Sequence, residues 1–294
     1  MEQPPEPHFR TREELRAALA ALSRSAPPAI ARFAVWALEN PEDIAFYALR
    51  TVAERAGVNA NTVYRFSVAL GYPGFDACKR NFQAILVDRS DSYSARARKL
   101  SDRTDVDLIE GIRSATNRNV DSVLANAQVA AIEEAAALLR GARQAMCMGV
   151  RSSFALAHYF AYTGSMAFAN FQRPIVEAGS ITDVMSHASP DDVAVLISFS
   201  LYSSEIIRAH KIAVDRGVRI IAITDTVAAP IADQARLVFT LPMQGPQTLP
   251  SFTAGFALVE AIVNVMIAAD SDAPNRVESF ENQLASHGAY GAGM

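Results

Sequence analysis

The 294 residues contain only two cysteines, Cys78 and Cys147, far apart and outside any CxxC or Cys/His spacing. Neither a disulfide framework nor a zinc site is suggested, and both thiols read as packing residues. The five histidines (His8, His158, His187, His210 and His287) include no pair at metal-ligand spacing, so neither a metal nor another cofactor is expected. Long hydrophobic runs are also missing. Val193 to Ile197 is too short to cross a bilayer, and Ala257 to Ile267 is interrupted by Glu260 and Asn264. No charged-then-apolar leader opens the chain, and a soluble, cytoplasmic protein with no membrane partner is expected.

What is present suits two globular domains. A chain of this length with 50% hydrophobic and 20% charged residues can build two separate cores. The net charge of −4 conceals an asymmetry: Met1 to Arg103 carries 15 basic against 12 acidic residues, and the remainder carries 12 against 19. Within the first part, Ala45 to Arg103 holds ten basic residues and five acidic ones. Such a local excess suits a phosphate-contacting surface, and it also suits an ordinary solvated helix face.

Residues 1–10 are Pro-rich and aperiodic, and are expected to form a disordered tip. Residues 11–89 show apolar positions at helical spacing, broken by Pro27-Pro28, Asn40-Pro41, Gly57 and Gly71-Tyr72-Pro73-Gly74, which predicts an all-α bundle. Residues 90–105 are polar and read as a linker. From 106 to 270, two helical stretches precede short β-prone runs that alternate with helices: Ala145 to Met148, Pro174 to Glu177, Val193 to Ser198, Arg219 to Thr224 and Leu237 to Leu241. This alternation predicts an α/β domain with a five-stranded parallel sheet flanked by helices, followed by a C-terminal helix and tail over 271–294. Ligands of such sheets bind beyond the carboxyl ends of the strands.

Leu49 to Leu70 has the spacing of a helix-turn-helix. Ala53 is small where two helices would cross, Gly57 suits the left-handed turn, and Val58, Val63 and Phe66 fall on the core side. Asn59 is a candidate N-cap, leaving Ala60, Asn61, Thr62, Tyr64 and Arg65 on the outer face of the second helix, where major-groove contacts are made. Lys79 and Arg80 on the following helix add positive charge. Arg65 reads as a phosphate or base contact or as a solvated charge; the Tyr64 ring can stack on DNA or pack against a neighbouring helix.

The run Ala53-Glu54-Arg55-Ala56-Gly57-Val58, Thr62-Val63-Tyr64-Arg65-Phe66 and Leu70-Gly71-Tyr72-Pro73-Gly74-Phe75, with Lys79 after it, resembles the RpiR family of bacterial transcription regulators. The resemblance implies a DNA-binding regulator, repression of carbohydrate metabolism genes through a palindromic duplex operator, a homodimer or homotetramer, and a C-terminal sugar isomerase (SIS) domain. Two loops resemble that domain. Gly149-Val150-Arg151-Ser152-Ser153 stands where the family carries Gly-x-Gly-x-Ser, and Ser198-Phe199-Ser200-Leu201-Tyr202-Ser203 stands where it carries Ser-x-Ser-Gly-x-Thr/Ser. Carried over by position, Ser153, Ser198, Ser200 and Ser203 are the implied ligands of a phosphorylated or acidic sugar. Arg151, Ser152 and Tyr202 complete the candidate set. Serines after strands also simply cap helices. Arg151 and Leu201 depart from the family glycines; Arg151 offers a donor fork to an anion instead.

Two rival readings stay open. One is a sugar-phosphate isomerase with an added helical domain, for which Glu205 and Glu260 are the candidate acid/base groups, although no evident pair stands at the loops and Glu205 also suits its helix N-terminus. The other is a DNA-binding protein whose SIS domain only oligomerises.

Overall fold

A computed structural model describes residues 9, 12–86, 93–101, 103–176, 180–200, 202–227 and 229–289. The tip expected over residues 1–10 lies outside these apart from Phe9, as do Leu201 and parts of the expected linker and tail. The chain divides into two compact units, residues 1–98 and 99–294.

The first unit is all helical: α1 (Arg12–Ser25), α2 (Pro28–Glu39), α3 (Pro41–Phe46), α4 (Leu49–Arg55), α5 (Ala60–Ala69) and α6 (Phe75–Leu86). Pro28 and Pro41 each open a helix at its first position, where a missing N–H costs nothing. Leu19, Phe33, Ile44, Phe66 and Phe82 form the centre of its core. The ring edge of one of the pair Phe33 and Phe66 meets the face of the other, at 4.7 Å between centroids, and Trp36 stacks on Phe33 from the rim. Cys78 is buried there, and burial pushes its thiol pKa up to about 12, as befits a packing residue. A further helix, α7 (Tyr93–Leu100), falls in the stretch expected to be a linker, and none of its residues is buried.

The second unit begins with α8 (Asp105–Val123) and α9 (Val129–Arg140), then winds β1 (Ala145–Gly149), α10 (Ser153–Ala167), α11 (Ser180–Ser186), β2 (Val193–Ile197), α12 (Ser204–Asp215), β3 (Arg219–Thr224) and β4 (Leu237–Thr240), and ends with α13 (Thr253–Ala268) and α14 (Ala273–Ser286). The sheet order is β1-β2-β3-β4, all parallel. Period-two alternation feeds two cores. Cys147, Val195, Ile197 and Ile223 share one with α9, α10 and α13; Met146, Met148, Leu196 and Ala222 share the other with α11 and α12. Burial on both faces is why these strands read as continuous apolar runs.

The described sheet has four strands, not the expected five. The run expected from Pro174 does not pair among the described residues. Instead, Phe171 forms an isolated parallel bridge with Ala145. The Ala145 N–H donates to the Asn170 carbonyl and the Gln172 N–H to the Ala145 carbonyl, both at 2.9 Å. The next donor in a parallel ladder would come from residue 174, and proline has no N–H.

Asp192 holds the amino ends of β1 and β2 together. Its buried carboxylate accepts from the Ser189 N–H at 2.7 Å, the Gln144 N–H at 3.1 Å and the Arg143 guanidinium at 2.6 Å. Burial pushes its pKa up, but the Ser189 amide and the Arg143 charge outweigh this and hold it below the usual carboxylate range. A depressed folded pKa contributes stability that is full above the unfolded pKa and disappears as pH falls through the folded one. Asp192→Ala is therefore expected to lower stability by about 2–3 kcal/mol at neutral pH in urea unfolding. That difference should shrink in acid; an equal difference below the folded pKa would contradict this role.

Candidate functional site

The helix-turn-helix is built by two local motifs. Gly57 takes φ +63°, allowing α4 to end with the Val58 N–H on the Ala53 carbonyl at 2.9 Å and the Gly57 N–H on the Glu54 carbonyl at 3.1 Å. α5 then starts on the Asn59 side-chain oxygen, which accepts from the Thr62 N–H at 2.8 Å and the Thr62 hydroxyl at 2.9 Å. Val63 and Phe66 are fully buried, Ala53 is buried at the crossing, and Val58 packs against the same core.

This roll of α5 sorts the expected DNA contacts. Asn59, Asn61, Tyr64 and Arg65 are exposed, and so is Arg80 on α6. Ala60 is half-buried against the core. Thr62, expected on the outer face, is instead buried, because its amide and hydroxyl are both drawn onto the Asn59 cap. Lys79 likewise turns inward: its ammonium donates to the carbonyls of Phe46 at 3.2 Å and Tyr47 at 2.9 Å, closing the end of α3. Partial burial lowers its pKa, with Asp76 opposing. Arg55 is also engaged, paired with Asp43 at 2.7 Å over the Tyr47 ring. The spacing of the sequence did not single out Val68, which is 47% exposed on the same stripe as Asn61, Tyr64 and Arg65. The i, i+4 relation to Tyr64 was the available signal.

In the second unit, strand register gathers the candidate ligand residues. Gly149 of β1 is level with Ile197 of β2, and Ile197 with Ile223 of β3, so the loops after all three strands leave the sheet side by side. After β1 the chain turns so tightly that a Cβ on Gly149 would lie 2.6 Å from the Ser153 carbonyl oxygen. Glycine is required there by contact with backbone, which cannot swing away. Arg151 stands at φ +54°, so the position keeps the left-handed conformation that the family glycine would favour. Arg151 and Ser152 are exposed and Ser153 is buried. The Ser153 and Phe154 amides donate to the carbonyls of Val150 and Arg151, each at 3.1 Å, so two groups of the expected anion cradle are engaged in the turn.

The second loop is stitched from within. The Ser198 hydroxyl accepts from the Ser203 N–H at 3.2 Å, and the Ser203 hydroxyl caps α12 by accepting from the Glu205 N–H at 3.2 Å. Each serine keeps its own hydroxyl proton for another acceptor. Asp225, just past β3, accepts from the exposed Ser200 through its N–H at 3.1 Å and from the Tyr202 hydroxyl at 2.8 Å. The anchoring role of Asp225 emerges from the register of β3 with β2. A niche beside the first loop, lined by Cys147, Gly149, Phe154, His158, Pro174 and Ile175, among others, encloses no open volume. It is too small for a drug-sized ligand. His158 is exposed in an aromatic row with Phe154 and Tyr162. Among the described residues, no group of three or more His, Cys, Asp or Glu is placed to hold a metal, and no single helix is long and apolar enough to cross a membrane.

Residues 138–270 match the SIS domain family. The HTH-type transcriptional regulator YfhH of Escherichia coli K12 is 23% identical over 258 residues, covering 85% of this chain and 91% of that protein. HexR, an HTH-type transcriptional regulator of the same organism, is 26% identical over 208 residues, 69% of each chain. The solved structure of the Vibrio vulnificus NanR protein complexed with ManNAc-6P has the same fold, with a TM-score of 0.58 at 17% identity over 94% of this chain and all of that one. The sugar isomerase domain of an RpiR transcription factor from Sphaerobacter thermophilus gives a TM-score of 0.55 at 21% identity, covering 61% of this chain and 98% of that one. A helix-turn-helix followed by a SIS domain defines an HTH-type transcriptional regulator. Within that class, the chain is similar to regulators such as YfhH and HexR, and its second unit has the fold of an RpiR sugar isomerase domain.

A non-glycine residue in the left-handed region costs about 1–2 kcal/mol. Arg151→Gly is therefore expected to stabilise the second unit by about 1 kcal/mol, raising Tm by about 2–4 °C in a thermal melt. An unchanged or lower Tm would mean that the arginine side chain holds the turn.

Proposed function

We propose that this protein is a cytoplasmic repressor of carbohydrate metabolism genes, acting as a homodimer or homotetramer on a palindromic duplex operator. Residues 11–89 read DNA, 90–105 link, 106–270 bind a phosphorylated or acidic sugar, and 271–294 complete the C-terminal end. The observation that carries the DNA half is the sorted α5 surface, with Asn61, Tyr64 and Arg65 exposed and Val63 and Phe66 fully buried behind them. The complex of NanR with ManNAc-6P supports a sugar phosphate as effector. Arg151, with Ser153, Ser198, Ser200 and Ser203, supplies donors suited to such an anion. The protein acts by binding and needs no catalytic step or cofactor. An effector that binds one arrangement of the oligomer better than another shifts the spacing of the two recognition helices.

The alternative, in which the SIS unit serves assembly alone, is favoured by one observation: Asp225 already occupies the Ser200 amide and the Tyr202 hydroxyl.

Two substitutions separate contact from support. Arg65→Ala is expected to weaken operator binding by about 1–3 kcal/mol. Lys79→Ala should lower thermal stability while leaving the slope of log affinity against log salt unchanged, since its ammonium closes α3. A slope reduced by about one in Lys79→Ala would return that lysine to the phosphate contacts.

A further inference from the structure

We infer that Val68 reads the C5-methyl group of a thymine in each operator half-site, an assignment that rests on α5 being the DNA-reading helix. Val68 sits one turn beyond Tyr64 on the stripe that carries Asn61 and Arg65, and both Val68 and Tyr64 are 47% exposed. The opposite face is filled: Thr62, Val63, Phe66 and Ser67 are buried. Exposure in water gains nothing for an isopropyl group, and a β-branched side chain also loses rotamer freedom in a helix. Neither solvation nor helix formation accounts for valine here.

The surroundings select the occupant. Arg65 beside Val68 and Arg80 on α6 are exposed, while Arg55 and Lys79 are engaged within the unit. An apolar spot on a cationic helix surface matches the floor and rim of a major groove, where phosphates line the edges and the thymine methyl is the apolar group offered by a base pair. A second protein surface would have to bury these arginines against acidic partners. The 45–103 segment has half as many acidic as basic residues, which disfavours a copy of the same face.

The test starts from operators selected by the full-length protein from a random duplex library. Each thymine is then replaced in turn by uracil, which removes only the methyl group, and affinity is measured for the parent protein and for Val68→Ala. Loss of one apolar methyl contact weakens binding by about fourfold. The parent protein should show such a loss at one thymine per half-site. Val68→Ala should bind the thymine operator about fourfold more weakly, be indifferent to uracil at that position, and keep the parent's response elsewhere. Equal sensitivity of both proteins at every thymine, or a parent profile flat throughout, overturns the inference while leaving the DNA-reading assignment intact. A changed oligomeric state in Val68→Ala with an unchanged uracil profile overturns it in favour of a protein contact. If no sequence is enriched, the DNA-reading assignment falls and this inference falls with it.

Discussion

The roll of α5 about its own axis is the constraint on which the reading surface depends. Phe66 meets Phe33 at 4.7 Å between ring centroids, and Val63 and Phe66 are fully buried, so the helix has one face that can turn inward. Once that face is fixed, Asn61, Tyr64, Arg65 and Val68 are committed to the outside. The Asn59 cap and the left-handed Gly57 set where the helix starts and how sharply the chain enters it. Lys79 and Arg55 stabilise the framework around it: one closes α3 and the other ties α4 to Asp43. Removal of a positive charge from this unit therefore has two different physical meanings, loss of a DNA contact or loss of a helix closure.

In the second unit an equivalent constraint is the level ending of β1, β2 and β3. Parallel strands in register deliver their following loops to one edge, and Gly149 allows the start of α10 to close onto β1. The loops that result are satisfied internally to a large degree. Ser198, Ser203 and Asp225 accept backbone N–H groups, and Ser153 and Phe154 donate theirs within the first turn. An anionic sugar entering here would find the Arg151 fork and serine hydroxyl protons ahead of a free amide nest.

Much of this was legible in the sequence because the signals were local. Period-3.6 spacing marked the helical unit, short apolar runs alternating with helices marked the parallel sheet, and the turn residues located the helix-turn-helix to the residue at Gly57 and Asn59. What could not be read was set by tertiary contact. Thr62 looks like an outward polar residue until the cap draws it in. Lys79 looks like a phosphate contact until the end of α3 lies beneath it, 32 residues back in the chain. The expected fifth strand does not pair among the described residues because Pro174 has no N–H to offer the ladder, and the edge is met by one bridge at Phe171.

Two such units make a regulator only if binding in one changes the other. The direct measurement is operator affinity of the full-length protein, by fluorescence anisotropy, with and without each of a panel of phosphorylated and acidic sugars whose binding is measured in parallel by calorimetry. The account predicts that a sugar anion that binds shifts operator affinity by about 5–150-fold. A sugar anion that binds at the loops and leaves operator affinity unchanged would contradict it.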